Sequence, residues 1–330
     1  MSEVVVITGA GKGVGRAAVR RFARDGAAVG LLGRGSDALE AARSEVEQAG
    51  GRALVVPTDV ADAESVEAAA AAVEERLGEI DVWVNNAMAT VFAYFEDITP
   101  EEYERATAVT YLGAVWGTRA ALARMQPRDR GTIVQVGSAM AYRGIPLQSP
   151  YCGAKHAIKG FTESLRTELL HRGTRVHLTM VQLPGLNTPQ FDHARSKMPE
   201  HPMPVPPVYQ PELAAEAIHW AAHHRRREVY VGVPAVYTIL GSKLSPWLAE
   251  RYLARTAVSS QQIGGSEPTP QNVNGNLFEP ERGDPGAHGR FDRQAHEHSA
   301  QWLATKHRGA LAAAGAAAAA ALGGLVARKR

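Results

Sequence analysis

The 330-residue chain is nearly free of cysteine: Cys152 stands alone. One thiol excludes an intrachain disulfide and a cysteine-based zinc site. It also fits a reducing compartment, so a cytoplasmic protein is expected. The chain also lacks an excess of either charge. Thirty-six Lys and Arg face 34 Asp and Glu, and the basic residues are scattered apart from short runs such as Arg225-Arg226-Arg227. That leaves no basic field for nucleic acid, which is not expected as a partner. Signal-peptide character is missing too, because Met1-Ser2-Glu3 leads straight into the four-residue apolar run Val4–Ile7, closed by Thr8-Gly9. What is present, 45% hydrophobic and 21% charged residues, is enough for one large soluble core.

Long uncharged runs are absent except at the C-terminal end. Residues 309–327 comprise 11 Ala, 4 Gly, 3 Leu and 1 Val, between Lys306-His307-Arg308 and Arg328-Lys329-Arg330. As a helix they would span about 29 Å, close to the ~30 Å of a bilayer core. Length therefore permits a C-terminal membrane anchor. The alanine and glycine content speaks for the other reading, an alanine-rich helix that stays out of lipid.

The first 185 residues alternate short β-branched runs with helical patterns. Strands are expected at Val4–Ile7, Val29–Leu32, Ala53–Val56, Val82–Val84, Thr132–Val136 and Val176–Val181. Helices are expected at Arg16–Arg24, Asp37–Ala49 with Ser36 as N-cap, Glu64–Leu77, Glu101–Met125 and Pro150–Arg172. A helix at Pro211–His224 and a seventh strand at Glu228–Val231 follow. This rhythm predicts an α/β fold with a doubly wound parallel sheet, whose ligands bind at the carboxyl ends of the strands. Residues 1–235 form the expected catalytic domain and 236–330 a C-terminal extension. Leu186–Pro211 holds seven prolines and is expected as a loop or broken helical cap acting as a substrate lid. In the extension, Val236–Ala257 reads as a helix interrupted at Ser245-Pro246. Gly264–Gly289, with ten Gly or Pro, reads as irregular chain that Val273, Leu277 and Phe278 could anchor.

Thr8-Gly9-Ala10-Gly11-Lys12-Gly13-Val14-Gly15 joins the first strand to the first helix. Glycines there let the backbone approach a pyrophosphate, and the helix N-terminus supplies N–H donors. A dinucleotide site that selects NAD(H) carries an acid about 20 residues on, for the ribose 2′-hydroxyl. Here the second strand ends Leu31-Leu32-Gly33-Arg34, without one. Arg34 suits a 2′-phosphate and Lys12 could add a second charge, so NADP(H) is expected over NAD(H). The plainer reading of Arg34 is a solvated loop cation.

Tyr151 and Lys155 are four apart on an expected helix and share one face. Ser138 closes the fifth strand. A lysine ammonium near a tyrosine favours the phenolate, and a serine hydroxyl can hold a substrate oxygen. Together they can deliver a proton to a carbonyl while a nicotinamide delivers hydride.

With these motifs in order, residues 3–232 resemble the classical short-chain dehydrogenase/reductase family, which implies a Rossmann fold. Asp59-Val60 follows the third strand, Asn85-Asn86-Ala87 the fourth and Pro184-Gly185 the sixth. The resemblance implies that Asp59 and Val60 contact the adenine, and that Asn86 and Ala87 border the cofactor, Asn86 also supporting the sheet. It implies that Lys155 holds the nicotinamide ribose, Thr188 binds the carboxamide beside Pro184 and Gly185, and the chain forms a homo-oligomer. Thr188 stands one residue nearer Pro-Gly than the family usually has it. A second departure lies in Val109-Thr110-Tyr111-Leu112-Gly113, where the family often carries an asparagine that supports a proton-relay water. Thr110 could hold a water by its hydroxyl, but with a different geometry, which would slow proton relay or mark an altered substrate.

Met88, Met140, Tyr142, Pro184 and Leu186 are expected around the nicotinamide. They suit an apolar ketone, aldehyde or alcohol as the small-molecule substrate. Cys152 points about 100° away from Tyr151 around the helix and is expected to be packed. His219 and His223 share a helix face without a third ligand, so they are expected as exposed histidines rather than a metal site. Two functional classes remain: an NADP(H)-dependent oxidoreductase with Tyr151 as acid/base, and a catalytically weak nucleotide-binding relative acting as scaffold or sensor. Tyr151 and Lys155 together favour the first.

Overall fold

The computed structural model describes residues 2–309. The alanine-rich run from residue 310 onward, with its two readings, lies outside the described residues. Seven strands form one parallel sheet: β1 (Val4–Thr8), β2 (Ala28–Gly33), β3 (Arg52–Pro57), β4 (Val82–Asn85), β5 (Thr132–Ser138), β6 (His177–Leu183) and β7 (Glu228–Tyr230). Their order is β7-β6-β5-β4-β1-β2-β3, so the crossover direction reverses at β1 and opens a crevice between β1 and β4. The register sets Val5 beside both Val29 and Val82.

The strands are apolar on both faces because both faces are covered. Val5, Ile7, Val29 and Leu31 face one layer, with α1 (Gly13–Arg24), α2 (Ser36–Gln48) and α7 (Pro211–His223). Val4, Val6, Ala28 and Leu32 face the other, with α3 (Ala63–Leu77), α4 (Pro100–Thr107), α5 (Gly113–Met125) and α6 (Ser149–His171). One polar network is buried between sheet and helix. Asn85 Nδ2 donates to Gln135, Thr118 and the Ala114 carbonyl, and its Oδ1 accepts from Trp83 Nε1 at 2.8 Å. Each member is partnered, so the network ties β4, β5 and α5 together without a stranded polar group.

Three local expectations are corrected. Ser36 is the first residue of α2, and Gly35 takes the N-cap position without a side-chain cap. The helix expected over 101–125 is divided by a π-helical turn at Ala108–Leu112. The 186–211 segment holds pieces of strand, each pairing outside it. Arg195–Ser196 pairs with Val91–Phe92, His201–Pro202 with Gln262–Ile263, and Val208–Tyr209 with Ala295–His296. Two-residue pairings of this kind leave no periodicity for a sequence reading to detect.

The extension folds back over the domain. α8 (Val233–Leu244) and α9 (Pro246–Thr256) break at Ser245-Pro246, since proline is tolerated only in a helix's first turn. Within 264–289, Leu277 is buried against the α3–α6 layer, whereas Val273 and Phe278 are exposed. In α10 (Ala300–Lys306) Trp302 is 2% exposed and meets Trp220 of α7 edge-on, with centroids 5.6 Å apart. The extension therefore completes the core. Trp302→Ala is expected to lower the unfolding free energy by about 3–5 kcal/mol in urea titration, as a buried large-to-small change does. A loss under about 1 kcal/mol, within the range of surface substitutions, would show that the core is complete without α10.

Candidate active site

The crevice is built around the end of β1. Thr8 Oγ1 accepts the backbone N–H groups of Asn86 and Ala87, both at 3.0 Å, and donates to the Val84 carbonyl. Asn86 Nδ2 returns a bond to the Thr8 carbonyl at 2.9 Å. The ends of β1 and β4 are thereby locked side by side, the support expected of Asn86. Gly9 turns at φ +66°, open to glycine at no cost. Gly15 is required by packing: a Cβ there would lie 2.0 Å from the Gly9 carbonyl oxygen. Gly9, Lys12, Gly13, Val14, Asn86 and Ala87 all border the main cleft.

At the neighbouring strand end, β5 delivers Ser138 and the start of α6 delivers Tyr151 and Lys155. All three border the same cleft. Lys155 is 3% exposed; its Nζ donates to the Val136 carbonyl at 2.7 Å and sits 5.4 Å from the Tyr151 ring centroid. Burial pushes the Tyr151 phenol up to about 12, with the Ser138 hydroxyl pulling the other way as a hydrogen-bond partner. Burial alone pulls Lys155 down to about 8. The expected depression of Tyr151 by the ammonium is thus not what this arrangement produces. Desolvation disfavours both charged forms, which leaves a firmly protonated phenol beside a lysine poised near neutrality.

Thr110 is 1% exposed in the π-helical turn. Its hydroxyl accepts from the Ala89 N–H and donates to the Ala89 carbonyl, both at 2.9 Å. The hydrogen expected for a relay water is committed to backbone instead. Thr110 clamps the loop after β4 to the π turn.

The main cleft has a volume of about 550 Å³. Met88, Met140, Pro184, Gly185, Leu186 and Thr188 border it as expected, as do Phe191, Ala194 and Met203 from the segment read as a lid. Tyr142 is the exception: its hydroxyl turns away to the Glu228 carboxylate at 2.6 Å. Cys152 is packed at 7% exposure, and burial raises its thiol pKa. The sequence reading missed the contribution of the extension. Tyr237, Tyr252, Leu253 and Ala257 from α8, α9 and the turn after them wall the cleft. No local motif marks them, because their place depends on a chain reversal more than 80 residues after Tyr151.

A second, smaller cavity continues from the first past Gly9, Lys12, Ala87 and Met88 towards Gly33, Arg34, Asp59 and Val60. Asp59 pairs with Arg105 at 2.6 Å. Burial raises its carboxyl pKa, but the bonds from Arg105 and the Ala61 N–H outweigh this and hold it below the usual range. His219 and His223, expected as exposed, pair with Asp25 at 2.9 Å and Glu3 at 3.0 Å, and His219 is half-buried. Among the described residues no group of three or more His, Cys, Asp or Glu is arranged to hold a metal ion. None of their helices is long and apolar enough to cross a membrane.

Comparison with known proteins agrees with this architecture. A family model for short chain dehydrogenases matches residues 3–199. An uncharacterized oxidoreductase of Bacillus subtilis (strain 168), YxnA, is 36% identical over 263 residues, which is 78% of this chain and 73% of that protein. Levodione reductase of Leifsonia aquatica is 34% identical, over 61% of this chain and 76% of its own length. Among solved structures, an alcohol dehydrogenase from the archaeon Thermococcus sibiricus, complexed with 5-hydroxy-NADP, superposes with a TM-score of 0.60 at 28% identity. That match covers 70% of this chain and 96% of the other. The sheet order, the glycine-rich turn and the Ser138, Tyr151 and Lys155 group are thus features of a family member: the chain belongs to the short-chain dehydrogenases, NAD(P)-dependent oxidoreductases acting on CH–OH groups.

Proposed function

We propose that this protein is an NADP(H)-preferring reductase or dehydrogenase of small apolar carbonyl and alcohol compounds. The observation that carries the reading is the convergence of Ser138, Tyr151 and Lys155 at one strand end, in a cleft walled by Met88, Met140, Leu186, Phe191 and Tyr237. The cofactor preference is supported by Arg34 and Lys12 beside a strand end that carries no acid, and by the NADP-type ligand of the archaeal relative. The two cavities, which share Gly9, Lys12, Ala87 and Met88 in their walls, fit an extended dinucleotide.

Bound in this cleft, a nicotinamide cofactor would supply or accept the hydride. Ser138 orients the substrate oxygen through its hydroxyl. Tyr151, held protonated by burial, gives its proton to that oxygen during reduction and takes it back during oxidation. Lys155, anchored on Val136, supplies positive charge under the phenol. The apolar walls exclude water and favour a lipophilic substrate.

Three outcomes follow. Tyr151→Phe keeps the ring and its packing and loses only the transferable proton. Turnover should fall by about 10²-fold or more, with cofactor affinity within about twofold of wild type by fluorescence titration. An active variant would remove Tyr151 from the acid role and point to another proton donor in the cleft. Carbonyl reduction should be flat in pH below about 8 and decline above it, as Lys155 loses the charge it carries only below that value; a rate rising through pH 8 would remove Lys155 from this role. Wild-type protein should bind NADP⁺ more tightly than NAD⁺ by about tenfold, one charge-assisted contact's worth, and equal affinities by calorimetry would refute the preference.

A further inference from the structure

The segment 276–289 runs across the mouth of the adenosine-side cavity, far beyond the residues 3–199 that the family model matches. It is fastened there by residues on both sides of the glycine-rich turn. Arg34 donates to three of its carbonyls, those of Asn276 at 2.5 Å, Leu277 at 3.2 Å and Phe278 at 2.6 Å. The Gly13 N–H donates to the Gly286 carbonyl at 3.0 Å, the Gly283 N–H to Asp37 at 2.9 Å, and Arg16 meets Asp284 at 3.4 Å. Asn276, Pro280, Glu281, Gly283 and Pro285 line the cavity opposite Gly9, Gly33 and Val60. The extension is thus the outer wall of the cavity that would take the adenosine half of a dinucleotide.

The charges within that wall are unevenly matched. Arg34 gives its hydrogen bonds to carbonyls here, and its charge is acted on by Arg105 and by the Asp59 and Glu279 carboxylates. Lys12 is matched by a carboxylate, Glu281 Oε2 at 3.1 Å, and Glu281 Oε1 lies 2.7 Å from His193 Nδ1. Glu281 is only 18% exposed, so its charge is weakly screened. Burial disfavours the Lys12 ammonium most, Glu281 supports it, and Arg34 is close enough to disfavour it further, which puts the carboxylate beside a two-cation site. A 2′-phosphate arriving there meets Lys12 already paired and a like charge next to it.

We propose that Glu281 is a cofactor-selectivity residue, a resident anion on Lys12 that an incoming 2′-phosphate must displace and a ribose 2′-hydroxyl need not. The carboxylate missing from the end of β2 is in effect supplied from the C-terminal extension. There it holds the preference for a 2′-phosphorylated dinucleotide below what Arg34 and Lys12 would give by themselves. This inference rests on the cleft being a dinucleotide site. It is separable from the NADP(H) preference, because that preference is the wild-type affinity ratio and this inference concerns the change in the ratio.

The test is binding rather than turnover. Dissociation constants of NADP⁺ and NAD⁺, and of adenosine 2′,5′-bisphosphate and ADP as adenosine-side probes, are measured by calorimetry on wild type, Glu281→Gln and Glu281→Asp. Glu281→Gln keeps size and hydrogen bonding and removes the charge. The affinity ratio of NADP⁺ to NAD⁺ should rise by about tenfold, and the bisphosphate should tighten while ADP changes little. Glu281→Asp, which retains the charge, should stay within about threefold of the wild-type ratio, less than half the free energy of a tenfold change. An unchanged ratio in Glu281→Gln, including a parallel loss of both cofactors from a loosened segment, overturns the proposal. A fall in the ratio also overturns it, and so does a rise that comes from weakened NAD⁺ and ADP binding, which would make Glu281 an acceptor for the ribose hydroxyl.

Discussion

The bond set at Thr8 is the constraint on which the rest of the site depends. One hydroxyl accepts from Asn86 and Ala87 and donates to Val84, fixing the ends of β1 and β4 to each other. In an open parallel sheet this is where the crossover direction reverses and neighbouring loops part. The clamp holds that gap at a set width. On one side the glycine-rich turn opens into α1; on the other β5 brings Ser138 to the same level. The close approach of Gly15 to Gly9 is part of the same fit, since any side chain at Gly15 would push the turn off β1.

Burial governs the electrostatics of Tyr151 and Lys155. Tyr151 and Lys155 lie away from water, and each is driven towards its neutral form. For the phenol this means a firmly held proton. For the lysine it means a charge that depends on the Val136 carbonyl and on whatever fills the cleft. The departure at Thr110 fits this picture. Its hydroxyl is bonded twice to Ala89 and stiffens the loop beside the cleft, in a π-helical turn of the kind often found at functional sites.

The extension changes what kind of cleft this is. Two tyrosines from α8 and α9 wall the main cleft and the 276–289 segment walls the smaller cavity, so both are bounded by chain outside the 3–199 match. The extension is held by buried apolar anchors at Leu277, Phe291 and Trp302 and by charged latches at Arg34, Lys12 and Arg16. Arg34 and Lys12, which line the smaller cavity, thus also secure the wall over it.

How much could be read from residues alone follows the range of each interaction. Local periodicity determined the seven strands, the main helices and the doubly wound order of the domain, because a buried parallel strand or amphipathic helix carries its pattern within about ten residues. The glycine-rich turn and the Ser138, Tyr151 and Lys155 group were legible for the same reason: their geometry comes from a strand end and one turn of helix. Tertiary structure decided the rest. The reversal that sets Glu281 against Lys12, the orientation of Tyr142 towards Glu228, the pairing of Thr110 with Ala89 and the burial that raises Tyr151 each join residues with no shared local pattern. Hydrophobic periodicity records which face of an element turns inward. It does not record which distant segment covers that element, and in this protein the covering segment sets Glu281 against Lys12 at the glycine-rich turn.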